Sequence, residues 1–503
     1  LPTIPAAPSD RTEPDRTGNR YRAIDGLIGA LAVGAVALFG WRSAPAQTLT
    51  DALADAYNTN PQLLAQRALL RATDEQVPQA LSGWRPTVTF NGNIVGNRSS
   101  FTQGPITTAP LSFTVFGTPV TVPSKTIPAT TEYSTFQSNT INLQVNQPVY
   151  SGGRTVAQTR QAVETVESTR AQTLAVETSV FQSVAQAYLD TVRDQNLVEV
   201  NRNNVSVLRE QLTATQDRFR VGEVTRTDVA QAESSLAQAI GNLTAAEGAL
   251  AQSRAEYVRA VGRQPGILLL PRERPILPAT REEAQSLAAN NNFSVVSANF
   301  AELAARDNIG VVRSQLLPQI SIVGNITRLA APSVTLSNAQ ENAGSVGLQM
   351  TMPLYEAGAV YSQTRQAQQT VGQRESQTDD ARRAAVQAVT QAWEALKSAR
   401  AAVASFAAAV RAAQIALQGV QQEALVGTAT TLDVLIQNQQ LLTSQSSLVI
   451  AEHDAALAEY NIAAATGRLI APELHLPVKL YDLEAHYREV RNKWFGFGGG
   501  LKE

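Results

Sequence analysis

Two periodicities alternate along the chain. From Val184 onward, apolar or small residues return every seventh position, at Thr191, Val198, Val205, Leu212 and Phe219. The stripe restarts at Val229 and runs through Leu236, Leu243, Leu250 and Tyr257. It recurs at Val389, Leu396, Val403, Val410, Leu417 and Ala424, then at Val434, Leu441, Leu448, Ala455 and Ile462. A seven-residue repeat held this long predicts helices winding on one another left-handedly. A helix over 155–219 would span about 100 Å at 1.5 Å per residue, more than a globular core requires. Gly222 in "FRVGEVTRTDV" (219–229) and Gly427 in "ALVGTATTLDV" (424–434) interrupt the stripes. Glycine takes the left-handed conformation that ends a helix, so each marks the reversal of a helical hairpin. Thr227 or Asp228, and Thr431 or Asp433, are the expected caps of the returning helices.

The second periodicity is two. In "TINLQVNQ" (140–147), Ile141, Leu143 and Val145 face one way while Asn142, Gln144 and Asn146 face the other. "TVTFNGNIV" (87–95), "QISIVGNIT" (319–327) and "SVGLQMTM" (345–352) alternate similarly. This is a strand with one apolar and one polar face. It fits a half-buried sheet and equally a strand with lipid on one side and water on the other. Between the first pair, residues 96–134 carry five prolines among many Ser and Thr, and are expected to form a long exposed loop. The second pair is joined by a short connection at about 331–343.

The patterns occur twice because the chain repeats. Residues 148–263 align without a gap on 353–468, an offset of 205, placing Gly222 on Gly427 and Asp228 on Asp433. An earlier block aligns at 232, with Asn60 on Asn292 and Pro86 on Pro318. The 27-residue difference falls mainly in the longer loop. Such a repeat governs the fold. The expected organisation is a leader (1–46), a first repeat (47–264), a linker (265–279), a second repeat (280–471) and a tail (472–503). Each repeat has the order helix, strand, strand, helix, helix. The first would carry strands at about 87–95 and 136–147 and a hairpin over 155–262. The second would carry strands at about 319–327 and 344–352 and a hairpin over 360–467.

Composition narrows the choices. The net charge of −2 gives no basic field for nucleic acid. The absence of Cys excludes disulfides and thiolate chemistry. The three histidines, His453, His475 and His486, lack metal-ligand spacing and are expected to be exposed or hydrogen-bonded. No nucleophile–base pair or phosphate loop suggests an enzyme, and no cofactor is expected. Arg16, Arg20 and Arg22 precede the apolar run Gly26 to Trp41, followed by Ala44-Pro45-Ala46. This is the pattern of a signal peptide, and a mature chain from Gln47 is expected. An N-terminal anchor is the alternative. After that run no stretch offers about 20 uninterrupted apolar residues, so a membrane-spanning mature chain would have to use a closed β-barrel. Four strands cannot close one, since the smallest have about eight. Three copies would supply 12 strands and six long hairpins, enough for a barrel continued by a helical tube.

The residues that carry a family resemblance are "QPVYSGGR" (147–154), "RFRVGEVTRTDVAQAE" (218–233), "MPLYEAGA" (352–359) and "VGTATTLDVL" (426–435). With the repeated element order, they make the chain similar to the TolC family of outer membrane export channels over nearly all of 47–471. The resemblance implies an α+β membrane protein: a homotrimer with a shared 12-stranded outer-membrane β-barrel and a long periplasmic α-helical barrel. It implies docking by a periplasmic adaptor that links the channel to an inner-membrane ABC or proton-driven transporter. Val221-Gly222-Glu223 and Val426-Gly427-Thr428 match the family's adaptor-docking tips. Asp433 matches a carboxylate lining the periplasmic constriction, and Thr227 and Asp228 match positions that hold that entrance closed. The chain departs from the family pattern at Ile436, where a second Asp is common, and at Ala429, where a basic residue is common; Arg226 could supply the cation. A ring of carboxylates would bias a pore toward cations. Type I protein secretion is the expected role, with multidrug efflux as the alternative. A periplasmic coiled-coil adaptor or a trimeric adhesin fits less well, because the amphipathic strand pairs occur in both halves.

Overall fold

The computed structural model describes residues 47–271, 273–330 and 340–497. The expected leader, most of the connection at about 331–343 and the final six residues of the tail lie outside this range. Three short helices open the described chain: α1 (Leu49–Thr59), α2 (Pro61–Asp74) and α3 (Gln76–Leu81). Asn60 ends α1 and caps α2, whose first residue is Pro61, so the chain bends without leaving the first amides unpaired. Strand β1 (Thr87–Gln103) follows. A small set of strands comes next: β2 (Ile106–Thr107), β3 (Leu111–Val115), β4 (Thr118–Val122) and β5 (Thr126–Ile127). Then come β6 (Thr130–Ser151) and the first long hairpin, α4 (Arg154–Arg220) and α5 (Arg226–Val261). The second half holds α6 (Arg281–Asn291), α7 (Phe293–Arg313), β7 (Gln319–Ala330), β8 (Gln340–Thr351), and the hairpin α8 (Ala359–Leu425) and α9 (Thr431–Ala465). A short α10 (Ala485–Val490) lies in the tail.

Helices α4 and α8 are each 67 residues long, about 100 Å at the α-helical rise. Of the heptad positions, only Phe219 is exposed; the others are buried or half-buried. Phe219 sits in the last turn of α4, where the hairpin ends and the facing helix no longer covers it.

The four long strands form one antiparallel sheet in the order β1-β6-β7-β8, leaving β1 and β8 as its edges. Val88 lies opposite Val145, and Phe90 opposite Leu143, which in turn faces Ile326 across β7. On the other face Asn91 meets Asn142, and Gln144 meets Asn325. In the two central strands the face carrying most of the apolar side chains is the more exposed one. Ile141, Leu143, Val145, Ile322 and Ile326 are exposed, whereas Asn142, Gln144, Asn146, Asn325 and Thr327 are half-buried.

The strands are longer than the alternation suggests. β1 runs to Gln103 rather than about 95, and β6 begins at Thr130 rather than about 136. Thus 96–134 is not an irregular loop. It is largely a two-stranded ribbon carrying two smaller hairpin pairings, β2 with β5 and β3 with β4. Proline is tolerated there because each strand of a ribbon has a free edge needing no N–H donor. β7 pairs only with Asn139–Ser151 of β6, so the ribbon projects beyond the four-stranded region.

The main core lies midway along the long helices. Tyr57 and Leu53 of α1, Phe181, Val184 and Tyr188 of α4, Tyr257 of α5 and Tyr460 of α9 are all buried there with Leu268. The Tyr188 hydroxyl lies 2.9 and 2.8 Å from the carbonyls of Gln47 and Leu269, tying the start of the described chain and the linker to α4. Gly152, at φ +62°, permits a close crossing: a Cβ there would lie 2.6 Å from the Ser314 carbonyl. The tail packs on the first two helices: α10, with Val490 buried, lies against α2, and the Tyr481 amide donates to the hydroxyl of Tyr57 in α1 at 2.9 Å.

Candidate functional site: the hairpin tips

Both long hairpins turn through the same local chemistry. Gly222 has φ +82° and Gly427 has φ +83°, with nothing within 4 Å of where a Cβ would stand. The glycine is therefore required by backbone conformation and not by crowding. Across the turns the Glu223 amide donates to the Arg218 carbonyl, and the Thr428 amide to the Glu423 carbonyl, each at 2.9 Å.

The caps of the returning helices are Thr225 and Thr430, three residues before the aspartates, and not Thr227, Thr431 or the aspartates themselves. Each forms a capping box, the geometry that satisfies two orphan amides reciprocally. The Asp228 amide donates to Thr225 Oγ1 at 3.3 Å, while the Thr225 amide and hydroxyl donate to Asp228 Oδ2 at 2.8 and 2.7 Å. Asp433 repeats this with Thr430 at 3.2, 2.9 and 2.6 Å. These bonds hold both carboxyls below the usual carboxylate range: the threonine hydroxyl contributes most, then its amide. Asp433 stays exposed, with Leu432 and Ile436 exposed on the same helical surface. Capping occupies only Oδ2, and Oδ1 takes no part in it.

The two tips differ in surface chemistry. The first is charged: Glu223 Oε2 lies 3.1 Å from Arg218 Nε, Arg220 pairs with Asp217, and Val221 is exposed. The second is apolar, with Leu425 and Val426 each about three-quarters exposed beside Gly427 and Thr428. Arg226 and Thr227 lie in the first turn of α5 and are exposed. Among the described residues, Arg226 makes no ion pair, so within one chain it is not joined to Asp433 or Asp228.

The hairpins are held side by side near the tips. Leu435 of α9 packs with Val205 and Leu208 of α4 and Ala239 of α5. One helical turn on, Asn438 Nδ2 donates to Asn204 Oδ1 at 2.7 Å, with both residues buried. This contact was not visible in the sequence, since nothing local marks two asparagines 234 positions apart. The capping boxes were visible, as Thr-x-x-Asp at 225–228 and 430–433.

Comparison with known proteins finds relatives over nearly the whole chain. The family model described as "Outer membrane efflux protein" matches residues 52–263 and 284–468. The chain is 32% identical to the outer membrane efflux protein BepC of Brucella suis over 476 residues, covering 95% of this chain and 97% of BepC. It is 31% identical over 192 residues to the alkaline protease secretion protein AprF of Pseudomonas aeruginosa, a match covering 37% of this chain and 40% of AprF. Its fold resembles the crystal structure of CusC, with a TM-score of 0.70 at 16% identity, over 84% of this chain and 92% of that one.

Proposed function

Because the chain belongs to the outer membrane efflux protein family, we propose that it works as a homotrimer whose sheets close a 12-stranded barrel and whose hairpins close a periplasmic tube. It is an outer membrane channel extending into the periplasm, and not an enzyme. The observation carrying the trimeric reading is the inverted sheet. In its central strands β6 and β7 the face bearing Ile141, Leu143, Val145, Ile322 and Ile326 is more exposed than the face bearing Asn142, Gln144, Asn146, Asn325 and Thr327, as a lipid-facing strand with a wet interior requires. Its edges β1 and β8 are both free to pair with another copy. Helix α8 contains an apolar stretch that is almost wholly unburied in the single chain, leaving apolar helix surface for neighbouring hairpins to cover.

In this reading the functional repeats are 47–264 and 280–471, with 265–279 as linker and 472–503 as tail. Val221-Gly222-Glu223 and Val426-Gly427-Thr428 dock the periplasmic adaptor. Asp433 contributes one carboxylate per copy to the entrance, and Asp228, Thr227 and Arg226 close it between copies. Arg226 is exposed and, among the described residues, forms no ion pair, which leaves it able to reach a neighbour.

The cargo we propose is polypeptide, passed from a type I transporter. The tip sequence "RFRVGEVTRTDVAQAE" supports this, as does the similarity to a protein named for protease secretion. Drug efflux is the second reading, favoured by the match over 97% of a relative named as an efflux protein. Deleting the gene separates them. Loss of secreted proteins with unchanged drug sensitivity is expected; a normal secretome with raised drug sensitivity would reverse the order. The conduit itself is tested by single-channel recording in planar bilayers, where discrete conductance steps are expected.

A further inference from the structure

The seam between the two hairpins, α4 against α9, differs from the seams inside them. Within the second hairpin, buried Leu417, Ala424 and Val434 run toward the tip with Val420 and Leu441 packed against them. Among the described residues, only two buried apolar clusters join α4 to α9: the main core, and the small group around Leu435. Between and beside them the seam is spanned by polar side chains in antiparallel order. Gln182 Nε2 donates to Asn461 Oδ1 at 2.8 Å, Asp190 lies 2.9 Å from His453, and Asn438 donates to Asn204 at 2.7 Å.

The Asn204–Asn438 pair is nearest the tip and lies five residues beyond Asp433. The two residues are 8% and 9% exposed, so the bond is shielded while the seam is shut. Parting the seam exchanges it for two bonds to water at little net cost, whereas breaking it inside a closed seam strands a buried amide. A polar contact of this kind holds two positions in register by specificity more than by strength.

We propose that the Asn204–Asn438 amide pair is the latch that fixes the Asp433 turn against the first hairpin, so that separating this pair loosens the tip. This rests on the channel reading above and names a positioning residue pair within it. The test replaces both members, Asn204→Asp with Asn438→Asp, in the full-length trimer reconstituted in planar bilayers. At pH 7.5 two facing carboxylates repel, and the open probability should rise several-fold. At pH 5 the pair can share one proton, since like charges at that range raise one pKa, and the wild-type value should return. Either single substitution should resemble wild type, because the remaining amide can turn and donate to the new carboxylate. Conducting double-variant trimers that match wild type at both pH values would overturn the latch. So would Leu435→Ala raising opening as much with no pH dependence in the double variant, which would assign the effect to packing. Absence of conductance in every protein, wild type included, would instead remove the channel reading and the latch with it.

Discussion

At the scale of single residues, the tip asks two things of one aspartate. Asp433 closes a capping box through Oδ2 and, as proposed, presents charge to the entrance through the rest of its carboxylate. The roles separate by substitution. Thr430→Ala should cost about 1 kcal/mol of local helix stability while leaving the carboxylate in place. Asp433→Ala should remove both. Reversal potentials in a salt gradient should therefore shift toward neutrality for Asp433→Ala and stay near wild type for Thr430→Ala; equal shifts would assign the effect to capping. Since the Thr430 bonds hold the Asp433 carboxyl below its ordinary range, cation preference should persist as pH falls to about 4, the unperturbed value. Gly427→Ala meets no steric contact, so its expected penalty, about 1 kcal/mol, comes only from the left-handed backbone. Faster amide exchange confined to the tip would report it.

At the scale of elements, the helices were legible and the ribbon was not. A stripe of Val, Leu and Ala every seven residues has one good solution, and the hairpins adopt it. The stretch 96–134 offers no long alternation, and its prolines are a sound signal for irregular chain. It becomes strand because it continues a ladder already established between Thr87 and Asn146. The Thr225 and Thr430 caps were legible in principle, as a spacing of three. The Asn204–Asn438 contact was not, because it depends on how two hairpins register.

The same seam carries a prediction in pH. His453 lies between α4 and α9 with Nε2 2.9 Å from Asp190 and Nδ1 2.9 Å from Asp454. Arg193, paired with Asp190 and Asp194, completes the charged groups around it; among the described residues, α5 and α8 add no ion pair here. Burial opposes the imidazolium, but the bonds to Asp190 and Asp454 outweigh it, and the net shift is upward. A raised folded value means the stabilisation is complete below about pH 6.5, the unfolded value, and fades as pH rises through the folded one. The thermal midpoint should thus be higher at pH 6 than at pH 8.5, and His453→Gln should flatten that difference. Asp190 has the opposite sign: burial raises it, the bonds from His453 and Arg193 win, and its contribution is lost only in acid.

At the scale of the whole molecule, the two faces of the sheet predict opposite outcomes for one substitution. Ile326 and Asn325 are neighbours near the middle of β7, on the apolar and polar faces respectively. Ile326→Arg should cost about 2–4 kcal/mol if it meets the centre of a bilayer and should reduce the trimer recovered from membranes. Asn325→Arg should leave trimer recovery intact and shift ion preference toward anions. Equal losses from both would count against a wet interior.

The inverted sheet also sets a timetable. Most chains gain by turning their oily residues away from water, and folding is its own reward as soon as the chain is made. On the proposed barrel reading, water is the wrong solvent for these four strands, and little is gained by completing them until lipid is at hand. The central core has no such dependence, because its burial is internal. On that reading the protein folds in two stages on two clocks. One half can mature in the aqueous space it crosses, while the other stays unfinished until arrival. Delivery to the membrane is thus a step of folding itself.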